Sequence, residues 1–275
     1  MGEHARVSVV RLRPRASVLL AVTSLVGAAG FGWPLLIHGS PTSAQAHSGD
    51  APWLFVAVLP LLLAVVLSEL SEGSLDAKAV ALLGILAACG AALRVPSPGV
   101  AGFEPVFFLL MPAGRVLGRG FGFVLGAVTI AVSALITGGV GPWMPFQMFG
   151  AAWMGFGAGC LPPARGRAER WMLAAYAAVA GIAYGALLNL WFWPFGAGTS
   201  TSFSFVPGAG FAHNLHSFLL FDLTTSLGFD IPRALTNALL VLVLGRPVLS
   251  ALRRATRRAA FDVPVVHEGP MDLAT

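Results

Sequence analysis

Eight apolar stretches, separated by short polar or glycine- and proline-rich turns, constrain this chain more tightly than any motif in it. They lie near residues 16–37, 52–69, 77–94, 104–117, 119–137, 143–161, 170–193 and 231–250. An α-helix needs roughly 20 apolar residues to cross about 30 Å of hydrocarbon, and several of these runs reach that length. None alternates apolar with polar residues as a barrel strand does. Apolar residues make up 56% of the 275 and charged residues only 11%, with a mean hydropathy of +0.79, which removes the soluble domain as an alternative. The sequence therefore predicts an all-α, polytopic membrane helical bundle.

Charge orients that bundle. Lys and Arg resist translocation and collect on the cytoplasmic side. With eight spans and both termini inside, all of the 17 basic residues except Arg94 and Arg233 fall in cytoplasmic segments. The expected location is the plasma membrane, crossed many times. Basic ends facing anionic inner-leaflet lipid account for the net charge of +5 without nucleic acid as a partner. The Arg-rich start, the apolar run and "AQA" at residues 44–46 resemble a secretory signal with its cleavage site. That run exceeds the usual signal core, so its retention is expected, and the later topology is the same either way.

Cys89 and Cys160 fall inside apolar stretches and read as buried small hydrophobes, with no disulfide framework or metal-thiolate spacing. Glycines at 114, 118, 122 and 126 recur every fourth residue, and Gly155/Gly159 and Gly181/Gly185 repeat the small-xxx-small pattern. In lipid there is little hydrophobic drive between helices, so small residues on one face let backbones approach and gain dispersion contacts. Ala87-xxx-Ala91 and Ala88-xxx-Ala92 carry the same device, which fits internal packing and a docking surface for another membrane subunit alike. The charged loop "SELSEGSLDAK", residues 68–78, divides an N-terminal helical pair (residues 1–70) from a six-helix core (residues 77–251). Residues 259–275 read as a short polar tail, expected to be disordered.

An ionisable residue inside a membrane protein is costly and usually faces a cavity or a partner. In this topology several polar groups reach one depth near the outer surface. Arg94 and Glu104 flank the outer loop "VPSPGVAGF", close enough in sequence to pair or to share a ligand. Trp143 and Gln147, Asn189 and Trp193, and Arg233 and Asn237 are each four apart, a spacing that puts both members on one helix face. Together the eight residues could line a pocket for a polar, ring-bearing small molecule. Singly, each also fits an interfacial aromatic belt or a satisfied buried amide. The outer segment from Phe195 to Asp230 begins glycine- and serine-rich, then turns apolar for a length too short to span, as a lid over such a pocket would. His213 and His216 are three apart, but two loop histidines rarely bind metal, so no metal site is expected.

Enzymatic signatures are absent: there is no H-E-x-x-H, G-x-S-x-G or G-x-x-x-x-G-K, and no paired carboxylates within one helix. The chain is expected to be no enzyme, to need no cofactor, and to draw any energy for uphill transport from an ion gradient or another subunit. A self-sufficient secondary transporter would need an ion-coupling carboxylate deep in a helix. A membrane enzyme would need a polar cluster at one interface, for which His213, His216 and Asp222 are the candidates.

The run from "ALLGILAACGAALR" through "EPVFFLLMPAGRVLGRGFGFVLGAVTIAVSALITGGVGPWMPFQMFGAAWMGFGAGCLP" to "RALTNALLVLVLGRPVLSALRR" resembles the substrate-specific S components of energy-coupling factor (ECF) vitamin transporters. The likeness covers roughly residues 77–251, and its most telling piece is the proline-led short helix entering "GRVLGRGFGFVLGA". It implies a six-helix core that binds a vitamin or related micronutrient on the outer face. It also implies docking onto a transmembrane coupling subunit, driven by two ATPase subunits, with Ala87, Ala88, Ala91 and Ala92 as the docking candidates. The leading helical pair departs from that pattern. Pocket residues diverge within the family, so the substrate does not transfer; Trp143 and Trp193 point first to a cobalamin-like molecule, with a smaller vitamin or nucleobase-like precursor next.

Overall fold

The computed structural model describes residues 14–36, 77–96, 100–141, 143–196 and 201–260. The span expected at 52–69, the "AQA" site, most of the charged loop and the polar tail beyond 260 lie outside the described residues. In chain order the helices are α1 (Pro14–Leu36), α2 (Ala77–Arg94), α3 (Leu110–Leu117), α4 (Arg119–Thr137), α5 (Met144–Cys160), α6 (Gly166–Gly196), α7 (Phe211–Thr225) and α8 (Leu227–Ala260). Two 3-10 turns, Val100–Gly102 and Pro105–Phe107, join α2 to α3. Among the described residues α1, α4, α6 and α8 are long and apolar enough to cross a membrane. With 18 and 17 residues, α2 and α5 stand at the short limit for doing so. The all-α polytopic class expected from the sequence is what the chain adopts.

The stretch 104–117, expected as one helical span, is broken: the 3-10 turn at Pro105–Phe107 is followed by only eight residues of α3. Its 13 residues from Pro105 to Leu117 cover only about 20 Å even at helical rise. Residues Glu104 to Phe108 and Leu110 to Gly114 are buried, so the irregular backbone is shielded by neighbouring helices. Non-helical backbone at membrane depth is tolerated under that condition. The segment still carries the chain from one end of the bundle, where Glu104 meets Arg233, to the other, where Arg115 meets Glu169.

Three of the four evenly spaced glycines form a contact face. A Cβ on Gly114 or Gly122 would strike the carbonyl oxygen of Gly155 in α5, and one on Gly126 would strike that of Ala151. Gly118 is different: at φ 105 and ψ 164 it ends α3 and starts α4, a conformation that L side chains rarely adopt. Gly181 and Gly185 of α6 receive α8 at Ala234 and Asp230. The alanines of α2 divide. Ala87 and Ala91 are 1% and 0% exposed inside the bundle, whereas Ala88 and Ala92 face outward.

Helix α1 is packed into the same core. Phe31 is buried against Phe146 and Trp153, with ring centroids 5.1 and 5.9 Å away. Trp153 also donates from Nε1 to Ser24 Oγ at 3.1 Å. Cys89 and Cys160, expected to be buried, are both exposed free thiols, because each lies on the outward side of its helix. Helix α7 lies across the Glu104 end, where Phe218 and Phe221 pack with Trp193.

Candidate functional site

Arg94 is the last residue of α2, so its side chain emerges where that helix stops and reaches across to α4 and α5. Its Nη1 donates to Ser133 Oγ at 3.0 Å and its Nη2 to Gln147 Oε1 at 3.2 Å. Arg94 Nε is buried and has no hydrogen-bond partner among the described residues.

Glu104 sits between the two 3-10 turns with φ −130 and ψ 76, outside any helix. The turn before it is tight: Ala101 has φ 51, Gly102 has φ 76, and a Cβ on Gly102 would collide with the Phe229 backbone. That approach brings Glu104 onto α8. Its carboxylate pairs with Arg233 Nε, and its backbone oxygen accepts from Asn237 Nδ2 at 3.0 Å. The sequence placed Arg94 opposite Glu104; the structure puts Arg233 there instead, because the loop folds toward α8 rather than back to α2.

Arg233 is the hub. Its Nη1 donates to Asp230 Oδ1 at 2.5 Å and to the Gly181 carbonyl at 3.3 Å, and its guanidinium carbon lies 5.3 Å from the centre of the Tyr184 ring. A cation over an aromatic face gains further electrostatic attraction. Asp230 fits only because residue 185 is glycine, since its carboxylate occupies the place of a Cβ there. Tyr184 also packs on Phe107, with ring centroids 4.5 Å apart. Arg94, Glu104, Asp230 and Arg233 are 8%, 7%, 1% and 9% exposed, two charges of each sign removed from water together. Asn237 is fully buried, and its Oδ1 finds no hydrogen-bond partner among the described residues.

The remaining candidates lie apart from this network. Gln147 is held by Arg94 in a separate set of bonds with Ser133, and Trp143 is 41% exposed and donates to Gly139 O at 3.1 Å. The four-residue spacing fails here because Trp143 is the N-cap of α5, where the chain is only entering the helix. Asn189 binds Asp222 Oδ1 at 2.8 Å and also Ser226, tying α6 to α7. Trp193 is fully buried beneath α7, donates to Phe203 O at 2.6 Å and packs edge-on to Phe205 and Phe218. Asp230, Tyr184 and Ser133 belong to the site and were not singled out in the sequence. Asp230 left a readable signal, its i,i+3 spacing to Arg233 on one helix.

Asp222 is turned toward Asn189, while His213 and His216 are exposed, and no group of three or more His, Cys, Asp or Glu side chains gathers among the described residues. The network holds no nucleophile next to a base. What it offers chemically is a preformed arrangement of charge, one aromatic face, and a buried donor and a buried acceptor without partners among the described residues. No protein-family model, curated protein or solved structure matches the chain.

Proposed function

We propose that this protein is the membrane-embedded substrate-binding subunit of an ECF-type transporter, taking up a vitamin-like micronutrient at the Glu104 end. One observation carries the reading: four ionisable residues, two of each sign, are buried at one end of a bundle of apolar helices, and two buried polar atoms there, Arg94 Nε and Asn237 Oδ1, have no hydrogen-bond partner among the described residues. Buried polar groups without partners are expensive, and a ligand that supplies an acceptor and a donor would satisfy both. Intramembrane ionisable residues are kept mainly where a solute or a partner meets them. With Trp193 closed under α7 and Trp143 outward, the open groups suit a small polar ligand better than a corrin. In this reading the Glu104 end faces outward, the termini are cytoplasmic, and the protein sits in the plasma membrane. Ala88 and Ala92 are the docking residues for the coupling subunit, which works with two ATPases, whereas Ala87 and Ala91 pack the fold.

The test has two parts. Mild-detergent purification from the native membrane should bring down a coupling subunit and ATPases, and mass spectrometry of the purified protein should detect a retained small molecule. Arg94→Gln should lose that molecule while keeping its elution volume and its partners. A protein that purifies alone and moves its solute without ATP would overturn the reading.

A second reading has its own support. Asp230, 1% exposed in the first turn of α8 and paired with Arg233, is a buried carboxylate that an ion-coupled secondary transporter could use. Proteoliposomes containing only this chain decide between the two: uptake driven by a proton or sodium gradient alone would favour the secondary transporter.

A further inference from the structure

The opposite end of the bundle carries a second polar feature. A cleft of about 370 Å³ opens between the start of α6 and the last turns of α8, lined by Arg167, Arg170, Arg246 and Arg253 together with Glu169 and Ser250. It is continued by a shallower hollow between Arg253, Arg254 and Arg257.

Glu169 is the cleft's only carboxylate among the described residues, and it is already committed. It is 1% exposed, accepts from Arg115 Nε at 2.9 Å, and takes Arg253 Nη2 at 2.6 and 2.8 Å. Arg170 is held by the Leu242 carbonyl at 3.3 Å, which carries no net charge to offset it. Arg167 and Arg246 have no ion pair among the described residues. The cleft therefore keeps a strong excess of positive charge at a fixed place on the protein.

Its depth relative to lipid is marked independently. Trp171, next to Arg170, is 64% exposed, as a tryptophan at the headgroup level is. From there the outer surfaces are apolar: Val179 on α6, and Leu235, Leu239 and Val243 at four-residue spacing on α8, are 60% exposed or more. A lipid whose acyl chains lie along these stripes brings its phosphate to the arginines.

We infer that this cleft is a binding site for the phosphodiester headgroup of an anionic phospholipid. Guanidinium groups match phosphate geometry with paired N–H donors. A net negative headgroup is favoured over a zwitterionic one because the surplus arginine charge has no counterion among the described residues. The site is independent of the solute bound at the Glu104 end.

The experiment uses the full chain in phosphatidylcholine nanodiscs, titrated with short-chain phosphatidylglycerol, short-chain phosphatidylcholine, or inorganic phosphate, and read by native mass spectrometry. Phosphatidylglycerol should bind roughly tenfold or more tightly than phosphatidylcholine, given about 1 kcal/mol per basic residue near a membrane surface. The double variant Arg167→Gln/Arg246→Gln removes two arginines that hold no internal pair, so it should reduce that preference to within about twofold while leaving thermal stability unchanged. Equal binding of the two lipids by the unaltered protein would overturn the proposal. Preference retained in the double variant would overturn it as well. Inorganic phosphate that displaces phosphatidylglycerol at equal concentration would assign the cleft to a soluble phosphate and overturn the lipid assignment.

Discussion

Replacing Glu104 by Gln keeps the side chain's size and removes its charge from Arg233. Two unit charges about 4 Å apart attract by roughly 4 kcal/mol at the effective dielectric of about 20 that suits protein sites. Asp230 remains on Nη1 of the same guanidinium, and the amide still accepts a hydrogen bond. The expected loss is therefore about 3 kcal/mol, the lower edge of what breaking a buried pair costs. Arg233→Gln should cost more, because it strands two carboxylates at once. A double-mutant cycle then isolates the pair: Glu104 and Arg233 should couple by about 2 kcal/mol, and Glu104 and Arg94 by at least 1 kcal/mol less. Arg94 is committed to Ser133 and Gln147, so its own removal acts elsewhere. Unfolding by SDS in mixed micelles supplies the free energies, with fluorescence of the native tryptophans as the signal. Equal coupling of Glu104 to both arginines, or stronger coupling to Arg94, would refute the arrangement around Arg233.

Other consequences are simpler to read. Gly122→Ala should destabilise by about 1–3 kcal/mol through collision with the Gly155 backbone; Gly84→Ala, inside α2 where a Cβ meets nothing within 4 Å, should leave the SDS midpoint unchanged or raise it, by up to about 1 kcal/mol. On the transporter reading proposed above, Ala88→Leu or Ala92→Leu should leave the protein folded and able to bind solute but release a copurifying coupling subunit. Ala87→Leu or Ala91→Leu should lower the unfolding midpoint instead, and the reverse pattern would exchange the two faces. Single cysteines at 201–210 and at Arg167 should react with an impermeant thiol reagent from opposite sides of the membrane; Cys89 and Cys160 must first be replaced, because both are exposed.

The long helices among the described residues were readable because a long apolar run has few options in lipid, and because glycines at four-residue spacing mark where backbones touch; the break within 104–117 was not. Neither was the pairing inside the site. Sequence distance favoured Arg94 for Glu104, since nothing local reveals that the turn at Ala101 and Gly102 throws the loop onto α8. Four-residue spacing placed Arg233 and Asn237 together correctly within a long helix. It failed for Trp143, which stands at a helix entrance. Asn189 and Trp193 do follow one helix, but α7 covers that end and draws both side chains into its own contacts. The i,i+3 spacing of Asp230 to Arg233 was legible, but the space that Asp230 occupies depends on Gly185, a relation between two helices that no local pattern records.

The broken segment from Pro105 to Leu117 bears on how the chain enters the membrane. At about 20 Å and with an interrupted hydrogen-bond ladder, it is a poor client for insertion by itself. Its backbone is sheltered only once α4, α5 and α8 have closed around it, and α8 is the last of these to be synthesised. A nascent chain halted after Leu117 lacks that shelter, so a reporter fused there should sit on a different side from one fused at the same residue within the whole protein. The topology of this stretch is thus a product of assembly, reached after its neighbours are in place rather than as each span emerges.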